Sequence, residues 1–145
     1  MTDLEASQRA AVVAEARSWL GTPYHERGRV KGAGVDCAML PAEIYAGLGL
    51  IGPQDPGYYP PDWHLHRGVE RYLAAVERVA RLVDAPLPGD LVMYRFGRAF
   101  AHGAIVTGWP TIIHAVKGLG VIESSGDGPE VAGRVRRAYR LRVWS

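Results

Sequence analysis

The one cysteine of this 145-residue chain follows directly on an aspartate, and Asp36-Cys37 comes just after a glycine loop running from Gly28 to Gly34. A lone cysteine forms no internal disulfide and no Cys-based zinc knuckle. It is either a small buried hydrophobe or a reactive thiol, and its neighbours decide which. Aspartate is a helix-capping residue, so a helix opening at Asp36 leaves Cys37 in its first turn. There the unpaired N–H groups and the positive end of the dipole favour a thiolate, with a pKa below that of free cysteine. The same N–H groups would cradle the oxyanion formed when a thiolate attacks a carbonyl. Pro41 has no N–H to give to the Cys37 carbonyl, so this helix is expected to start with a kink or a tighter turn.

A thiolate nucleophile needs a base, and the base needs an orienting partner. His102 stands at the start of a predicted strand and His114 within the next. With Trp109-Pro110 as a hairpin tip, the two histidines fall on neighbouring strands. His114 would then hold one nitrogen of His102 and leave the other for Cys37. Two unrelated strand histidines are the alternative that this pattern leaves open. His64 and His66 would share one face of a strand, and with His102 or His114 could bind zinc. They follow a Pro-Pro-Asp-Trp loop, however, and no carboxylate or cysteine stands at ligand spacing. They read as surface loop residues, and no metal or other cofactor is expected.

The elements that must position these groups are legible from periodicity. Between Leu4 and Leu20, residues Val12, Ala16 and Trp19 recur at helical spacing, and Gly21-Thr22-Pro23 stops that helix. A second helix runs from Asp36 through Ile44 and Leu48. Gly52 to Pro61 reads as an irregular loop. Val69, Tyr72, Leu73, Val76 and Val79 mark a third helix, with Arg71 and Glu77 off its apolar stripe. After Pro86 the character changes. Pro88-Gly89-Asp90 is a turn, Leu91–Phe96 a strand, and Gly103–Thr107 with Thr111–Val116 a hairpin. Val121–Glu123 and Val135–Trp144 complete the strands. Helices first and strands second is the order of an α+β domain with an antiparallel sheet. With no internal repeat or linker, residues 1–145 read as one domain.

Composition excludes several classes. Apolar residues make up 48% and charged residues 22%, and the formal charge is +2, which describes an ordinary globular chain. That charge is too small and too scattered for a nucleic-acid partner. The densest basic run, Arg134 to Arg142, alternates with Val135, Ala138, Tyr139 and Leu141, as a strand with one wet face does. Met1 to Ala10 is polar and unlike a secretory signal, and no apolar run approaches the roughly 20 residues of a membrane span. Synthesis in the cytoplasm without a signal peptide, and no membrane insertion, are therefore expected.

Taken together, five segments resemble the NlpC/P60 family of cell-wall peptidases, in the family's order and with fitting gaps. They are Gly21-Thr22-Pro23-Tyr24, Gly34-Val35-Asp36-Cys37, Pro88-Gly89-Asp90-Leu91-Val92, Ala101-His102-Gly103-Ala104-Ile105-Val106 and Ile112-Ile113-His114-Ala115. The resemblance implies a papain-like fold with helices packed on an antiparallel sheet. It implies a triad in which Cys37 attacks, His102 is the base and His114 orients it, with Tyr24 and Asp36 on the substrate side. The implied substrate is the peptide stem of peptidoglycan, cut between D-glutamate and the diamino acid. The long Pro-Asp-Trp-His insertion resembles phage-tail and gene-transfer-agent members, which implies tail proteins as partners and the cell wall as the place of action. The Ser-Gly that commonly follows the family's cysteine is replaced by Ala38-Met39. His25 and Glu26 stand where a glycine is often found. A catalytically silent tail-tip protein of the same fold, or a papain-like amidase or acyltransferase, are the competing readings.

Overall fold

The computed structural model describes residues 1–53 and 68–144. Helix α1 spans Asp3–Ser18, capped by the Thr2 hydroxyl, which accepts from the Glu5 N–H at 3.0 Å. Its buried stripe is Arg9, Val12 and Ala16, and Gly21 at φ +85° turns the chain away. A two-residue pair, β1 (Arg29–Val30) and β2 (Gly34–Val35), closes the glycine loop. Helices α2 (Met39–Gly47) and α3 (Gly68–Val79) follow. The predicted loop from Gly52 to Pro61 and the pair His64 and His66 lie almost wholly outside the described residues.

Six strands form one antiparallel sheet in the order β3-β8-β4-β5-β6-β7. They are β3 (Ala80–Val83), β4 (Leu91–Phe96), β5 (Ala99–Gly108), β6 (Thr111–Val116), β7 (Gly120–Ser125) and β8 (Arg136–Leu141). The class is α+β, as the order of elements predicts. Alternation along the strands separates two cores. Leu91, Met93, Ile105, Ile113 and Ala115 face the helices and pack with Val12, Ala16, Leu40, Ile44 and Val76. Val92, Tyr94, Ala104, Val106 and Ile112 face the other way, with Val131 and Trp109 over them.

Three expectations need correction. Strand β3 follows α3 without a break and pairs with β8, where no strand was expected. Strand β5 begins at Ala99, so His102 lies inside the strand rather than at its start. The basic face of β8 is not uniformly wet. Arg140 bonds Asp90 through Nη2 at 2.8 Å, and buried Arg9 meets the same carboxylate at 2.9 Å. The Asp90 carboxylate also accepts from the Leu87 N–H at 2.8 Å, so the Pro88-Gly89-Asp90 turn ties α1, β8 and the start of β4 together.

Two irregularities in the sheet make room for a site. Strand β4 pairs Tyr94 with His102 and then Arg95 with Phe100. Ala101 is thus the extra residue of a β-bulge, a device that re-aims nearby groups. On the other side, β5 and β6 pair from Gly108↔Thr111 to Ile105↔Ile113 and stop short of His102 and His114. Strand β6 nevertheless stays paired to β7 as far as Val116↔Gly120. Strands β5 and β6 therefore part below Ile105.

Candidate active site

Asp36 organises the approach to the cysteine. Its Oδ1 accepts from the N–H groups of Ala38 and Met39 at 3.1 and 2.9 Å, and its Oδ2 from the Arg27 N–H at 2.8 Å. The Asp36 carbonyl accepts the Leu40 N–H at 3.1 Å. Asp36 is thus the functional cap, Cys37 sits in the first turn, and Pro41 is the first position whose missing N–H interrupts the ladder. Regular helix begins only at Met39. At 1% exposure, with its carboxylate holding three amides, Asp36 fixes the loop. Two of the N–H groups expected to serve the sulphur or an oxyanion are likewise engaged by Asp36.

Cys37 is 9% exposed. Its thiol points at the carbonyl of the bulged Ala101, 3.6 Å away. Burial, together with the Asp36 carboxylate, pushes the thiol up to about 12, an effect that the nearby Tyr24 hydroxyl opposes. The expected drop below the free-cysteine value is therefore overturned. Desolvation outweighs the helix terminus because the terminal amides already have a partner. Tyr24, held beside β2 by a bridge to Val35, has its own phenol pushed up by burial and by Cys37.

His102 and His114 lie across the opening between β5 and β6. His102 Nε2 and His114 Nδ1 are 2.8 Å apart, with the rings edge to face at 80°. Phe96 stacks on His102 at 4.9 Å between centroids, and the Arg134 guanidinium covers the outer face of Phe96 at 3.6 Å. Burial, then His114 and Arg134, bring His102 down to about 3. His114 is also lowered by burial, an effect that Glu130 opposes. Both rings are thus neutral at pH 7, as a general base must be before it acts.

Cys37, Tyr24 and His102 line one cavity of about 280 Å³, together with Glu26, Phe96, Ala101, Lys117 and Glu130. A second cavity of about 320 Å³ between α2 and α3, lined by Pro41, Tyr45, Tyr72 and Val76 among others, offers no thiol or imidazole. Among the described residues no group of three metal-ligating side chains comes together. None of the helices described is long and apolar enough to cross a membrane. Phe96, Arg134, Ser124 and Glu130 escaped the sequence reading. Ser124 and Glu130 lie at the end of β7 and in the turn beyond it, where no periodicity marks a side chain as inward.

A protein-family model described as the NlpC/P60 family matches residues 21–140. Among solved structures, the NlpC/p60 domain of the peptidoglycan hydrolase SagA is similar, with a TM-score of 0.61 and 25% identity over 89% of this chain and 96% of that one. NlpC1 from Trichomonas vaginalis gives 0.66 at 17% identity, over 92% of this chain and 43% of that one. The peptidoglycan hydrolase RipB from Mycobacterium tuberculosis gives 0.61 at 24% identity, over 97% and 68%. These last two show likeness of fold alone. The chain spans nearly all of the SagA domain but less than half of NlpC1. No curated protein matches it.

Proposed function

The chain belongs to the NlpC/P60 family, and from that premise we propose that it is a cysteine peptidase of peptidoglycan, cutting the stem peptide between D-glutamate and the diamino acid. The observation that carries this reading is the 2.8 Å contact between His102 and His114 beside a cavity that Cys37 also lines. The family membership and the similarity to the NlpC/p60 domain of the peptidoglycan hydrolase SagA support the substrate class.

In the proposed reaction His102 takes the thiol proton through Nδ1 as the sulphur attacks the scissile carbonyl. The Tyr24 hydroxyl, which favours the thiolate from beside it, steadies the charge as it develops. Collapse of the tetrahedral adduct breaks the C–N bond, and His102 returns the proton to the departing amine. Water, deprotonated by His102, then hydrolyses the thioester and frees Cys37. His114 orients the His102 ring throughout. The Pro-Asp-Trp-His insertion supports delivery to the wall by a phage-like tail, a proposal tested by looking for the chain in purified tail particles.

One observation favours a silent tail-tip protein instead: the thiol is nearly enclosed and held protonated. Digestion of purified peptidoglycan, with fragments identified by mass and Cys37→Ala as control, separates the two. New termini between D-glutamate and the diamino acid, absent with Cys37→Ala, are the expected result. No release would leave the silent reading, and cleavage of a different amide would leave the amidase.

A further inference from the structure

Behind His114, on the side away from His102, stands an acid that the proposed chemistry has not used. His114 is fully buried, and its Nε2 lies 2.9 Å from Ser124 Oγ and 3.5 Å from Glu130 Oε1. The Glu130 side chain is 15% exposed, and its Oε1 is shielded from solvent. Burial alone would raise this carboxyl. The nearby Ser124 hydroxyl, its own backbone and His114 instead hold it below the ordinary value, although Oε1 itself has no hydrogen-bond partner among the described residues.

The direction of each proton follows. A carboxylate only accepts, and a bare Nε2 lone pair facing the buried Glu130 Oε1 at 3.5 Å would be repelled by it, so His114 Nε2 carries the proton and donates it to Ser124 Oγ at 2.9 Å. A neutral imidazole has one N–H, so His114 Nδ1 is then a bare lone pair. The 2.8 Å contact with His102 Nε2 needs one proton, and only His102 can supply it. His102 Nδ1 is thereby left as the free base. The opposite tautomer of His114 would push a proton onto His102 Nδ1 and leave nothing to accept the proton of Cys37.

We infer that Glu130, acting with Ser124, is a positioning residue that sets the tautomers of His114 and His102 and so decides which nitrogen of His102 is basic. This inference rests on the proposed reaction for its consequence but not for its geometry. It also gives the imidazolium formed during attack a negative counter-group, with only the His114 ring between them. Other charged groups facing the relay are Arg134 at His102, and Asp36 and Glu26 at Cys37.

The test uses the whole chain and two readouts. Nitrogen-15 spectra of the imidazoles report the tautomers directly. At pH 7 both His102 and His114 should carry their proton on Nε2. Glu130→Gln, whose amide can donate, should shift His114 toward the Nδ1–H form and cut kcat on stem peptide by about 10- to 100-fold, with KM little changed. Glu130→Asp should recover part of that loss, which a merely structural role would not predict from a shorter side chain. A wild-type His114 protonated on Nδ1, or a Glu130→Gln variant with kcat within about twofold of wild type, would overturn the inference. If the wild type cuts no peptidoglycan, the functional reading falls, while the spectra of wild type and variant still decide the part of Glu130. If Glu130→Gln does not fold, the wild-type spectrum decides it alone.

Discussion

Holding His102 neutral makes the fold sensitive to acid, by an amount the structure specifies. In the unfolded chain its imidazole titrates near 6.5, whereas burial, His114 and Arg134 bring it down to about 3 in the folded protein. Between those values the unfolded state binds a proton that the folded state refuses, so stability is complete above pH 6.5 and is lost as pH falls toward 3. At pH 5 the cost is RT ln(1 + 10^1.5), about 2 kcal/mol, and at pH 7.5 it is near zero. His102→Gln removes the titrating group while keeping a polar side chain opposite His114. Urea unfolding of both proteins at pH 7.5 and 5 isolates the difference. Carboxylates titrate in both and cancel, and His114 largely does so. Wild type should lose about 2 kcal/mol more than the variant, or about 1 M in the urea midpoint at a typical slope. Equal losses in the two proteins would refute the neutral, desolvated base and with it the physical argument for the site.

Two further perturbations probe neighbouring links. His114→Ala should lower turnover on stem peptide by about 100-fold, while His114→Asn and His114→Gln retain more, because an amide oxygen can accept from His102 Nε2; equal rates in wild type and His114→Ala would remove His114 from the site. Asp90→Ala strands Arg9 and Arg140 beside a lost carboxylate and should cost about 3–5 kcal/mol of stability, read by denaturant unfolding, with turnover per folded molecule unchanged; a loss below about 1 kcal/mol would mean that water replaces the carboxylate and the turn is not a structural tie.

The sequence shows those parts of the fold that carry a long period. Helix α1 is visible in Val12, Ala16 and Trp19, and the β5–β6 hairpin in the apolar runs on either side of Trp109-Pro110. Strand β3 is not, because Ala80-Arg81-Leu82-Val83 continues the apolar rhythm of α3 and becomes a strand only through pairing with β8. The parting of β5 from β6 is equally hidden, since nothing in Ala101-His102-Gly103 differs locally from a paired strand. Ser124 and Glu130 sit at a strand end and in a turn, where side-chain direction is set by tertiary contacts alone. The raised thiol of Cys37 is hidden for a different reason. The cap at Asp36 was legible, but a cap that supplies an acceptor to the first amides also withdraws them from the sulphur.

That withdrawal narrows how the site can stabilise a tetrahedral adduct. On a bare helix terminus, the amides of Ala38 and Met39 would face an oxyanion formed beside Cys37; here both point at Asp36 Oδ1. Ala38 and Met39 are themselves buried in the main core, so their side chains offer the oxyanion nothing. Among the residues that line the cavity with Cys37, Tyr24 has a hydroxyl near enough to the sulphur to favour its thiolate. Sulphur and oxyanion are attached to the same carbon in the adduct, so a donor that reaches one needs only a small swing to reach the other. Burial and the neighbouring acids keep the phenol protonated, and a protonated phenol is what an oxyanion requires. Under the proposed reaction, the capped terminus leaves the Cys37 N–H, which already favours the thiolate, and the Tyr24 phenol as the donors beside an oxyanion.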